Sequence, residues 1–151
     1  MKNIILTTAV CFVSYAAIAQ IEMSEAQTWT TIGELKSLGL TKAKMEYKNQ
    51  GMDTSYMLFM KDVRKHPENN YFAVHFKGTD DTFNKLYDVL KSFFVAENRK
   101  NRKYTKTFKL GSDFVNIQHY RLITSPGIMF STNEGYTYFS EKDIDKLFGK
   151  R

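Results

Sequence analysis

Cysteine is almost missing from this sequence: the single one, Cys11, falls in an apolar run at the start of the chain. With one cysteine there is no intramolecular disulfide framework and no cysteine-rich zinc site. Proline is nearly as scarce, with only Pro67 and Pro126, and no low-complexity or repeated tract marks a linker between domains. Histidine occurs three times, at His66, His75 and His119, and no two of these share one helix or strand at a ligand spacing, so no metal site is indicated. Gly-x-Ser-x-Gly, Gly-x-Gly-x-x-Gly and the Walker pattern are all absent, which removes the motif-borne routes to acyl transfer and to nucleotide cofactors. No catalytic residue and no cofactor is therefore predicted. The carboxylates that stand close together, Asp80-Asp81 and Glu141, Asp143 and Asp145, fall in the first turns of expected helices, where acidic residues offset the helix dipole. Ser112-Asp113 and Ser125 read as turn residues.

What is present begins with an address. Lys2 precedes an apolar run from Ile4 to Ile18, and Ala17-Ile18-Ala19 stands ahead of Gln20. That is the layout of a secretory signal peptide, predicted over 1–19 with cleavage after Ala19. The run falls short of the roughly 20 residues that span a bilayer, and no charged stop-transfer cluster follows it. A lipid anchor on Cys11 is not supported, because Thr8-Ala9-Val10 has neither the large aliphatic residue nor the small one such a site places before its cysteine. The expectation is export to the periplasm or the exterior, by a route that fits a bacterial protein, with no transmembrane segment after cleavage. Cleavage takes away the only cysteine, so the mature domain must be disulfide-free and stabilised by packing. It also takes Lys2, leaving 21 of the 22 Lys and Arg against 16 acidic residues, a formal net charge of +5. A moderately basic surface favours solubility and attraction to anions, and carries no information about fold.

Along the mature chain, residues 20–40 form the least readable part. Trp29, Ile32, Leu35 and Leu38 recur at about helical period, but Gly33, Gly39 and three threonines interrupt them, so a loop with a helical turn is expected. A single α+β domain is predicted over 41–151. Strict alternation of Ala43, Met45 and Tyr47 against lysines and Glu46 predicts a half-buried strand, and Ser55 to Val63, apolar on both faces, a more central one. Tyr71 to Lys77 alternates again. Thr79 then caps an expected helix over about 79–98, with Phe83, Leu86, Tyr87, Leu90, Phe93 and Phe94 in one stripe. Tyr104–Leu110 and Phe114–Ile123 flank a Gly111-Ser112 hairpin turn; shorter strands follow over Ile128–Thr132 and Tyr136–Phe139. Ser140 opens a capping box with Asp143 for a short C-terminal helix over about 140–148, and Phe139 and Ile144 are placed as its staple. Short connections permit antiparallel pairing only. The fold expected is one curved antiparallel sheet of five to seven strands with the long helix packed on it.

Two features point to binding. Arg99, Lys100, Arg102, Lys103 and Lys106 put five cations into eight residues, more than helix-end complementation requires, and form a candidate anion-binding patch with Tyr104 beside it. Nine tyrosines, twelve phenylalanines and one tryptophan make the chain rich in aromatics, and Tyr71, Tyr120, Tyr136 and Tyr138 fall on faces expected to be exposed. Such rings serve as platforms for sugars or as protein interfaces, although strand-forming aromatics are also ordinary core material. The reading is an exported, non-catalytic binding domain whose partner is a protein, a glycan or an anionic ligand; export argues against nucleic acid. The alternatives are a hydrolase-like envelope enzyme and an inhibitor or immunity-type protein. A concave pocket lined by His75, His119 or the carboxylates would move the enzyme reading ahead.

Overall fold

The computed structural model describes residues 28–64, 70–121 and 125–150. The expected signal peptide with its cleavage point, and His66, lie outside the described residues. Among those residues no helix is long and apolar enough to cross a membrane.

The chain is α+β, built as two antiparallel four-stranded sheets. The first comprises β1 (Thr30–Ser37), β2 (Leu40–Gln50), β3 (Asp53–Lys61) and β4 (Tyr71–Lys77), in that spatial order. The second comprises β5 (Thr105–Leu110), β6 (Asp113–Arg121), β7 (Pro126–Ser131) and β8 (Tyr136–Ser140), again in chain order. Between them run a 3₁₀ turn at Thr79–Asp81, helix α1 (Thr82–Lys91), a second 3₁₀ turn at Ser92–Phe94 and the short α2 (Ala96–Lys100); α3 (Glu141–Leu147) ends the chain.

Period-two alternation sets which faces are buried. Ala43 pairs Met60, Met45 pairs Leu58, and Leu58 pairs Val74, so the inward face of the first sheet is one apolar surface. In the second, Val115 pairs Phe108, Ile117 pairs Phe130 and Ile128 pairs Phe139. Both faces join Leu86, Leu90 and Phe93 from the helical connection and Ile144 and Leu147 from α3 in a single core. The outward faces differ. That of the first sheet combines charges with rings, with Lys44 on Glu46 at 2.6 Å, Lys77 near Asp53 at 3.7 Å, Lys48 over the Trp29 ring at 5.0 Å and Phe59 stacked on Tyr71 at 4.7 Å.

The expected single sheet of five to seven strands is thus corrected to two sheets of four. Alternation identifies the buried face of each strand but not the sheet it joins. The helical connection after β4 carries the chain away, and β5 starts a new sheet instead of extending the old one. The hairpin tip of that new sheet abuts β4: Gly111 has φ 62°, and a Cβ there would stand 1.8 Å from the His75 carbonyl oxygen.

Residues 30–37 form a strand where a loop with a helical turn is expected. Two register shifts interrupt its pairing with β2: Ile32 is an extra residue in β1, which breaks the alternation and hides the strand in the sequence, and Lys42 is an extra residue in β2 opposite Leu35 and Lys36. Gly33 serves close approach here, since a Cβ at that position would lie 2.1 Å from the Lys146 carbonyl oxygen of α3.

The long helix is also shorter than expected. Asp80 and Asp81 adopt left-handed φ of 55° and 58°, so they form a turn ahead of the helix, and Thr79 does not cap it through its side chain. At the other end Val95 is extended (φ −67°, ψ 147°) and separates α2 from the rest. Helix α3 follows the sequence closely. Asp143 N–H donates to Ser140 Oγ at 3.2 Å and Ser140 N–H to Asp143 Oδ2 at 3.0 Å, the reciprocal capping box. Its C-terminus closes with Lys150 N–H on the Asp145 carbonyl (2.9 Å) and Gly149 N–H on that of Lys146 (3.3 Å).

Candidate functional site

The inward face of β6 changes character along its length. Val115 and Ile117 are fully buried, and the next two residues on that face are His119 and Arg121. Here the facing element is α2, held against β6 by His119. The His119 ring packs edge-on to Phe93 (centroids 5.2 Å apart, 71° between planes), and its Nε2 lies 2.9 Å from the Asn98 carbonyl oxygen. That oxygen can only accept, so Nε2 carries the hydrogen. Asn98 is anchored in turn by its Nδ2 donating to the Ser92 carbonyl (2.8 Å), while Asn101 folds the following loop by accepting the Lys103 N–H at its side chain (3.1 Å).

This arrangement leaves a cavity of about 540 Å³ between α2 and the open end of the second sheet. Arg99 and Arg102 line it from the α2 side, His119, Tyr120 and Arg121 from β6, and Ser125 and Pro126 from the start of β7. The ion pairs among the described residues engage lysines and Arg64, and none reaches Arg99, Arg102 or Arg121. No carboxylate among the described residues lines the cavity. Three arginines therefore line a common space with no counter-charge among the described residues, and each guanidinium offers a planar fork suited to a carboxylate or a phosphate.

Of the five predicted anion-binding cations, the structure brings two, Arg99 and Arg102, to this cavity. Lys100 and Lys103 do not line it, and Lys106 sits on β5 with its Nζ 5.5 Å from the Tyr104 ring centre. Arg121 and His119 were not part of the predicted patch, being distant in sequence from α2. The parity of β6 was the available signal, because the face that buries Val115 and Ile117 continues into both residues. Ser125, expected only as a turn residue, stands on the cavity wall.

The other candidates fall elsewhere. His75 is on the first sheet, 6.0 Å edge-on from Trp29, in a separate cleft of about 350 Å³ that includes Lys48 and Lys77. The two histidines thus do not meet, and no group of metal-ligating side chains occurs among the described residues. Glu141 and Asp145 both bind Lys91 Nζ, at 2.7 and 2.9 Å, and Tyr87 donates its hydroxyl to Asp145 at 2.9 Å. Asp143 also receives Lys42 at 3.0 Å. These carboxylates fasten α3 to the rest of the fold.

Tyr120 has a second role. Its ring stacks on that of Tyr138 with centroids 3.8 Å apart and 21° between planes, and Tyr136 meets Tyr138 edge-on at 5.5 Å. The three lie on the outward face of the second sheet. Burial first, then the neighbouring hydroxyls of Tyr136 and Tyr120, push the Tyr138 phenol well above its ordinary range, so it stays protonated at any physiological pH.

No family model, curated protein or solved structure matches this chain.

Proposed function

We propose that this chain is an exported binding module that recognises an anionic group in the cavity between α2 and the second sheet. The observation that carries the reading is the convergence of Arg99, Arg102 and Arg121, all without ion-pair partners among the described residues, on one cavity. Like charges held together repel, and an anion seated among them removes that repulsion while accepting charge-assisted hydrogen bonds. At about 540 Å³ the space exceeds what a lone inorganic anion fills, so the anionic group belongs to a larger molecule. Export and the secretory leader remain part of the proposal and rest on the sequence.

The test is binding of inorganic phosphate and of heparin to the protein and to a variant combining Arg99→Ala, Arg102→Ala and Arg121→Ala. Loss of about 1.5–3 kcal/mol per charged contact is expected, with a steep salt dependence. The opposite pattern, unchanged retention after all three substitutions, removes the reading.

His119 on the cavity wall favours one second reading, an enzyme acting on a phosphate or carboxylate ester. A concave pocket lined by His119 is the expected sign of an enzyme, but binding stays ahead because a general base and a general acid must both converge on the reacting group. Nε2 is committed to the Asn98 carbonyl, and among the described residues no carboxylate lines the cavity to orient the ring or share a proton. Turnover of p-nitrophenyl phosphate or acetate that disappears in His119→Gln would place the enzyme first.

A further inference from the structure

We infer that the arginine cavity is the charged end of a longer site for an acidic oligosaccharide, whose sugar rings lie over the tyrosines on the outward face of the second sheet. The inference rests on the anion-binding reading above. Tyr120 is the link, since it lines the cavity and also forms half of the stacked Tyr120–Tyr138 pair. A ligand anchored at the arginines therefore borders, through the Tyr120 ring, an aromatic platform already in place.

The platform is rigid and open. Gly127 is paired with Tyr120 across the β6–β7 ladder and contributes no side chain, which leaves room above β7 for the two rings to close on each other. Tyr120 keeps 40% of its surface exposed, and Phe114, on the same face, 62%. Stacked rings bound from behind by a strand lose little freedom when a ligand settles on them, which lowers the entropic cost of binding.

The surroundings suit sugars better than protein. By strand parity the residues sharing this face between Asn116 and Ser140 include Asn116, Gln118, Met129 and Ser131, and on all four strands the only charge is Lys109. Asn116 uses its Nδ2 on Thr107 Oγ1 (2.8 Å), and Gln118 points its Nε2 at Met129 Sδ (3.9 Å). Both amides thereby turn their donors to the sheet and keep their carbonyl oxygens as acceptors. A pyranose presents apolar C–H faces to an aromatic ring and hydroxyl donors around its edge, and this surface offers the complement of each. A protein partner would bring a charged rim, for which this face holds one lysine. The acid group of the saccharide, a uronate carboxylate or a sulfate, is supplied to the arginines.

The experiment titrates the full chain with monogalacturonate, tetragalacturonate, inorganic phosphate and a pentaglutamate peptide. Tetragalacturonate is expected to bind about tenfold more tightly than the monomer, the scale of one aromatic stacking contact. Tyr138→Ala should abolish that advantage, and Tyr138→Phe should retain it. If Tyr138→Ala leaves the tetramer's advantage intact while the triple arginine variant loses all binding, the cavity stands and the glycan platform is overturned. Pentaglutamate binding that depends equally on Tyr138 overturns the sugar in favour of a protein partner. Failure of the arginine variant to weaken any of the four ligands overturns the underlying anion site. An unfolded Tyr138→Ala shows in its circular dichroism, and Tyr136→Ala then reads the same advantage.

Discussion

Asp62 Oδ1 accepts the backbone N–H of Tyr136 at 3.3 Å, while the next residue, Val63, donates its own N–H to the Tyr136 carbonyl at 3.0 Å. By these two bonds the end of β3 is fastened to the start of β8, and the first sheet to the second. Asp62 is only 6% exposed, and Arg64 closes over it with Nε 3.0 Å from Oδ2 while a further guanidinium N–H donates to the Glu134 carbonyl.

Asp62→Ala is therefore expected to destabilise the fold. Breaking a buried ion pair costs about 3–5 kcal/mol, and the exposure of Arg64 reduces that to about 2 kcal/mol. The Arg64 guanidinium holds the Asp62 carboxyl below its ordinary value of 3.8. A depressed folded-state value means that the contribution is complete above the ordinary value and lost as pH falls through the folded one. Urea denaturation at a series of acidic pH values should give a falling stability below about pH 4 that is flatter in Asp62→Asn.

Gly33→Ala should force β1 away from α3. A methyl group there would stand 2.1 Å from the Lys146 carbonyl oxygen and 2.6 Å from that of Leu147, both backbone atoms that cannot swing aside. A loss of about 1–3 kcal/mol is expected on the scale of overpacked sites, read as a lower Tm. An unchanged Tm would mean that α3 does not sit against β1 as described.

Thr137 faces the core between Phe130 and Phe139 in sequence parity and is completely buried, and its Oγ1 finds no partner among the described residues. Thr137→Val keeps the shape and removes the unsatisfied hydroxyl, so a gain of about 1 kcal/mol is expected. Differential scanning calorimetry would check it; a loss of stability instead would mean that the hydroxyl is bonded in solution.

Ser140→Ala removes the acceptor for the Asp143 N–H and half of the capping box. The expected cost is about 1 kcal/mol, and Ser140→Asp should recover most of it. The urea midpoint should shift with no change in slope, since the surface exposed on unfolding is the same.

Local chemistry was legible in the sequence wherever one residue type has one use. The Gly111-Ser112 turn, the capping box at Ser140 and the alternation of β2 and β4 each follow from short-range rules and recur in the structure. The strand over 30–37 was not legible, because its bulge at Ile32 breaks the period on which strand recognition depends. The division into two sheets was hidden for another reason: strand edges meet through contacts such as Gly111 on His75, which leave no periodic trace. The candidate site was half visible. Arg99 and Arg102 are neighbours in sequence and announce themselves as a charge cluster, but Arg121 reaches the cavity from another strand, and only the three-dimensional fold sets it beside them.

The two sheets turn unlike surfaces to solvent. Lys44, Lys48, Lys61 and Lys77 stand on the outward face of the first, and Lys109 alone among charged residues on that of the second, which is otherwise tyrosine, amide, hydroxyl and the apolar Phe114 and Met129. Amine-directed coupling to a sensor chip or a bead would nonetheless reach the exposed Lys100, Lys103 and Lys106 on the segment that supplies Arg99 and Arg102, so protein immobilised in that way carries its linkage beside the site to be measured, and free-solution titration avoids it.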